Sequence, residues 1–180
     1  VNGVHGGVHL VAAAHTPSLR RAAFGGDDDL DEGGRNAARA LRPQLTLPKS
    51  WVCAPSRAAA QTARALGAAT PVVAPELSDI DYGAWTGRNL GEVDLGDWLT
   101  SPDAAAHGGE SLTAVTARAG RWLDRQAGTT RTAVAHPTVV RALIAYALGL
   151  PPDGIWRLDV APLSISRLTH RAGRWHLSIR

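Results

Sequence analysis

Cysteine occurs once in this chain, at Cys53, and lysine once, at Lys49. A lone thiol excludes a disulfide framework and a thiolate metal set, and the chain offers no other metal site. Basic residues form no block. The net charge of +3 comes from arginines spread along the sequence, and nothing matches a nucleic-acid-binding motif, so no nucleic-acid partner is expected. The stretch Val8–Ala14 is too short to span a bilayer and no basic segment precedes it, so no membrane partner is expected and the expected location is cytoplasmic. Repeats and linkers are lacking too. The 180 residues are read as one domain, 1–180, with a real core and a loose end over residues 1–7 that holds a solvated His5.

What is present is alternation. Val8–Ala14, apolar except for His9, reads as a strand buried on both faces. After a turn-rich acidic loop at 25–29, Asp31 and Glu32 stand where a helix N-terminus favours negative charge, ahead of the helical run Gly34–Leu41. "WVCA" (51–54) is a short strand; Ser56 is placed to cap the helix "RAAAQTARAL" and Gly67 to close it. "PVVA" (71–74) is another strand, and 76–108 is irregular with a short helix near Leu90–Leu99. Leu112, Val115, Ala119, Trp122 and Leu123 recur at helical spacing. "TAVAH" (132–136) is a strand, "TVVRALIAYALG" (138–149) a helix, and Leu163–Leu168 with Arg174–Ile179 a hairpin. Strands alternating with helices give an α/β fold with a mostly parallel sheet and antiparallel C-terminal edge strands.

In such sheets ligands bind outside the carboxyl ends of the strands, and two histidines, His15 and His136, stand at such ends. The helix after His136 also offers backbone N–H groups to an anion. Two converging imidazoles suit phosphoryl transfer. One attacks phosphorus to form a phosphohistidine, the other hydrogen-bonds the phosphoryl oxygens, and a carboxyl group protonates the leaving oxygen. The histidines at 5, 9, 107, 170 and 176 are read as packed or solvated.

Four further segments carry a resemblance. "CAPSRAAAQTARAL" (53–66), "LSDIDYGAWTG" (77–87), "HGGESL" (107–112) and "AHPTVVRALIAYALGLP" (135–151) are similar to segments of the histidine phosphatase superfamily, the phosphoglycerate mutase-like proteins, and the likeness runs from Val8 to about Leu168. The resemblance implies a three-layer sandwich with the central sheet between helices. It also implies Asp79 as proton donor, His136 as the second active-site histidine, and a ping-pong reaction that uses neither metal nor organic cofactor.

The family opens with Leu-Val-Arg-His-Gly, and "LVAAAHTPS" can be matched to it in two ways. Matching Leu10-Val11 without a gap puts Ala13 at the nucleophile. Matching the histidines puts His15 there and Ala14 at the arginine, and this is the alignment on which the expected catalytic set His15, Asp79 and His136 rests. Counting back from Gln61 puts Ala58 where the family has a second arginine, with Arg57 one position early. Pro137 replaces the glycine after the second histidine, which removes a backbone N–H. Arg20 and Arg21 either fold back over the site or face the acidic run 27–32. The expected substrate contacts are Arg57, Arg20, Arg21, Ser18 and Thr138.

The expected function is a weak or atypical phosphatase of small phosphomonoesters, because the clamp arginines are replaced by alanine. The alternative is a degenerate pseudo-phosphatase that binds a small molecule or a protein. A third reading is an enzyme of another chemistry that uses His15 and His136 as acid and base on a less anionic substrate. The expected partner is a small phosphorylated or otherwise anionic metabolite, and a homodimer is left open.

Overall fold

The computed structural model describes residues 6–179. The chain runs β1 (Gly7–Ala12), α1 (Pro17–Arg20), α2 (Glu32–Leu41), β2 (Trp51–Cys53), α3 (Arg57–Ala65) and β3 (Val72–Val73). An irregular middle with four 3-10 turns follows, then α4 (Leu112–Asp124), β4 (Arg131–Ala135), α5 (Pro137–Ala147), β5 (Ile165–Arg171) and β6 (Arg174–Ile179). The strands form one six-stranded sheet in the order β3-β2-β4-β1-β5-β6. The first four are parallel, and β5 and β6 add an antiparallel edge. Helices flank the sheet, so the expected α/β architecture is the one found. Among the described residues no helix is long and apolar enough to cross a membrane.

β1 lies between β4 and β5, and Val8, Leu10, Val11 and Ala12 are fully enclosed, which explains a strand that is apolar at almost every position. The strand ends at Ala12, two residues before the expected Ala14. The Ala14 N–H leaves the ladder to donate to Thr62 Oγ1 at 3.0 Å. The expected loose end is ordered at Gly6 and Gly7, which are buried; a Cβ on Gly6 would meet the Thr129 carbonyl oxygen at 2.3 Å. The rest of that end, with His5, lies outside the described residues.

Caps set the helix starts. Ser56 Oγ accepts from the Ala59 N–H, as expected, and Asp31 accepts from the Gly34 N–H, so α2 begins two residues before the expected Gly34. The short α1 was not expected. Thr16 caps it and Pro17 fills its first position, where a missing N–H costs nothing. The short helix expected near Leu90–Leu99 is two separate 3-10 turns, Leu90–Glu92 and Gly96–Leu99. On one face α4 and α5 pack closely at Gly120, where a Cβ would meet the Tyr146 ring at 2.3 Å.

Candidate functional site

The parallel register brings the ends of β1 and β4 together. Ala12 pairs with Ala135, and the Ala13 N–H donates to the Ala135 carbonyl at 2.8 Å, so Ala13 is carried alongside His136. Ala13, His136, Asp79, Ser56, Ala58 and the loop residues Thr16, Ser18, Asp27 and Asp28 line a small crevice of about 40 Å³. That is room for a few waters at roughly 10–15 Å³ each.

His15 does not line it. The strand has ended by then, and the chain turns towards the start of α2. The His15 carbonyl accepts from the Asp31 N–H at 3.0 Å, and a Cβ on Gly34 would meet that carbonyl at 2.5 Å. The ring stands near Asp31 and contributes to holding that carboxyl below its usual range, an effect led by the Arg20 hydrogen bond. The residue on the crevice wall is Ala13, the one that the ungapped alignment matches to the nucleophile, and Ala12 precedes it.

Two of the expected residues do come together. Asp79 Oδ1 lies 3.3 Å from His136 Nδ1 and also accepts from the Ile80 N–H at 2.8 Å. His136 Nδ1 is in addition the acceptor for the Thr138 N–H at 3.3 Å, capping α5. One nitrogen cannot both accept from Thr138 and donate to Asp79. The ring therefore either caps the helix or, with a proton on Nδ1, bonds the carboxylate.

The expected arginines are elsewhere. Arg20 pairs with Asp31, and Arg57 Nη2 donates to Asp29 Oδ2 at 2.6 Å. Arg21 is exposed, close enough to Asp28 to favour its charge. Among the described residues no arginine or lysine lines the crevice. Its charged wall is acidic. The Ser18 hydroxyl donates to Asp28 and lowers that carboxyl below its usual range against the opposing effect of burial. Asp27 Oδ1 accepts the Arg57 N–H at 2.7 Å, so the protein's own carboxylate occupies the N-terminus of α3.

Arg118, which sequence reasoning missed, holds the Asp79 loop. It donates to both Glu110 oxygens and to the carbonyls of Glu76 and Asp79, the last at 2.9 Å. Burial pushes the Glu110 carboxyl up, but the bond from Arg118 and the backbone N–H of Asp81 bring it below its usual range.

Beside the crevice lies a larger apolar cavity of about 480 Å³, sharing Leu19, Ala23, Gly25 and His136 with it. Phe24, Tyr82, Leu95, Trp98 and Trp156 form its walls, and Thr138, an expected crevice contact, faces this cavity instead, near the Tyr82 hydroxyl. Among the described residues no cluster of three or more His, Cys, Asp or Glu side chains is arranged to hold a metal ion.

Behind Tyr82 and Trp98, His107 is packed against Trp85 with ring centroids 4.8 Å apart, and its Nδ1 accepts from the Gly109 N–H. Burial holds its pKa below the ordinary value. Above about pH 6.5, the usual histidine value, both folded and unfolded chains carry a neutral ring. Below it the unfolded chain takes up a proton that the folded ring refuses, so stability falls. Thermal melts between about pH 8 and pH 5 should show this acid loss reduced in His107→Asn; parallel pH profiles would remove His107 as its source.

The model of the histidine phosphatase superfamily (branch 1) matches residues 11–179. A bifunctional protein of Mycobacterium tuberculosis and an uncharacterized protein of Mycobacterium bovis are each 35% identical over 120 residues, 60% of this chain but 33% of theirs, so the chain spans a third of those relatives' length. Among solved structures, a mycobacterial glucosyl-3-phosphoglycerate phosphatase in complex with VO3 superimposes with a TM-score of 0.82 at 24% identity, covering 96% of this chain and 97% of that one. The alpha-ribazole phosphatase of Shigella flexneri gives 0.83 at 21% identity, covering 96% and 95%. A phosphoserine phosphatase mutant of Entamoeba histolytica with phosphoserine gives 0.81 at 16%, covering 96% and 94%. At these identities the structures share the fold.

Proposed function

We propose that this chain, which belongs to the histidine phosphatase superfamily and carries a phosphatase-type site, binds a small metabolite there without forming a phosphohistidine. One observation carries the reading: the residue alongside His136 at the crevice is Ala13, and a methyl group has no lone pair with which to attack phosphorus. The electrostatics support it. On the ungapped alignment Ala12 and Ala58 match the two clamp positions, and a lost oxyanion donor costs about 10²–10³ in rate in comparable sites. Asp27, Asp28 and Asp79 line the crevice, and the nearby Arg21 and Arg57 offset only part of the repulsion that their carboxylates would exert on a phosphate dianion. A cytoplasmic location belongs to the same proposal, motivated by the single thiol.

The Asp79–His136 pair favours a second reading, a hydrolase in which another group attacks and Asp79 serves as the acid. Hydrolysis of 4-nitrophenyl phosphate and a panel of metabolite phosphates by the wild type, His15→Ala and His136→Ala separates the two. We expect wild type and both variants to be equally inactive while remaining folded by circular dichroism. Wild-type turnover that disappears in His15→Ala would overturn the proposal and return His15 to the role of nucleophile.

A further inference from the structure

The larger cavity poses an electrostatic problem. Arg141, on the first turns of α5, is one of its lining residues, and its guanidinium has no hydrogen bond or ion pair among the described residues. Its Nε is fully buried. Of its three nitrogens only Nε is buried without an acceptor, so the half-buried guanidinium can present its other donors to an oxyanion from an apolar wall. The same wall carries two more donors without acceptors, the buried indole N–H groups of Trp98 and Trp156, whose rings meet at 5.0 Å. It offers no carboxylate. The acidic side chains belong to the neighbouring crevice, so the two compartments differ in sign: the small one repels anions and the large one lacks one.

Resting on the non-hydrolytic reading above, we infer that the ligand of this site is a small amphipathic anion, its aromatic or branched apolar body seated among Phe24, Leu95, Trp98 and Trp156 and its oxyanion held by Arg141. The volume of about 480 Å³ is within the range of ordinary small-molecule sites, as is a mostly apolar lining with a few convergent polar groups. Carboxylate and phosphate share the required chemistry, since either accepts the guanidinium's charge-assisted bonds. The nearby Thr138 and the shared residue His136 give the head group hydroxyl and imidazole neighbours at the junction of the two compartments.

The test is titration of the purified chain with 2-naphthoate, 2-naphthyl phosphate and the neutral 2-naphthalenemethanol, read by calorimetry and by tryptophan fluorescence. We expect at least one anion to bind about tenfold or more tighter than the alcohol, the difference expected of a hydrogen-bonded charge. Arg141→Gln should remove that difference and leave the weak affinity for the alcohol unchanged. Ala23→Trp, at a lining position that is only partly buried, should block all three by filling the cavity, and it keeps the proposal testable if Arg141→Gln fails to fold. The ratio between naphthoate and naphthyl phosphate identifies the head group. Equal affinity for anion and alcohol, or no binding by a folded wild type, overturns this inference and leaves the non-hydrolytic reading standing. Release of naphthol from the phosphate overturns the non-hydrolytic reading and leaves the site in place.

Discussion

A chain carrying Ala13→His and Ala58→Arg together hydrolyses 4-nitrophenyl phosphate at least about 10³ faster than the wild type. The expectation follows from what the crevice keeps and what it lacks. Asp79 and His136 are already within 3.3 Å of one another, so an acid and a second imidazole are in place. Ala13 and Ala58 both line the crevice, so the two substitutions add an imidazole and a guanidinium where they can face a phosphoryl group. Restoring the nucleophile opens the covalent route, and restoring one oxyanion donor contributes about 10²–10³ by itself. Steady-state rates and an acid-labile phosphoryl adduct on the denatured protein are the two readouts. Folded double variants without either would overturn the matching of Ala13 and Ala58 to the nucleophile and clamp positions. The same gain in Ala14→Arg, with His15 left as it is, would favour the other alignment.

Arg118→Gln lowers stability by about 3 kcal/mol, the lower end of the range for breaking a buried ion pair. Arg118 is 15% exposed and Glu110 25%, so solvent screens part of the interaction, but the substitution also strips donors from two backbone carbonyls. For a chain of this size the melting temperature falls by roughly 6–12 °C. The effect reaches the site because the Asp79 carbonyl is one of those two. In the restored phosphatase, Arg118→Gln should therefore reduce kcat at temperatures where the protein is still folded. Replacement with Lys should recover stability in part, because an ammonium keeps the charge but cannot span Glu110 and both carbonyls at once. A melting temperature unchanged in Arg118→Gln would show that the network contributes nothing.

Local chemistry made much of this fold legible. Ser56 ahead of an alanine-rich run and Gly67 after it mark α3, because a cap hydroxyl and a left-handed glycine act on their own neighbours. The run from β4 through His136 into α5 is equally local. What sequence could not fix was the last residue of β1. Val8–Ala14 is apolar throughout apart from His9, so hydropathy carries no mark at Ala12, where a hydroxyl 48 residues away diverts the Ala14 N–H. That distant contact lies just where the two alignments of the first motif diverge, and local hydropathy gives no sign of it. The partners of the arginines were likewise hidden: Arg20 and Arg57 pair with Asp31 and Asp29, both supplied by the loop between α1 and α2. The apolar cavity draws its walls from four separate segments, which no periodicity links.

Those same ion pairs govern how a ligand arrives. With Arg20 and Arg57 neutralised by adjacent carboxylates, the mouth of the crevice presents no net positive field, while Arg35, Arg39, Arg42 and Arg64 gather round a separate groove between α2 and α3. An approaching anion meets four arginines at that groove and mostly paired charges at the crevice. Long-range attraction therefore favours the groove over the crevice, and added salt, which screens exposed charges beyond about 8–10 Å, weakens that preference.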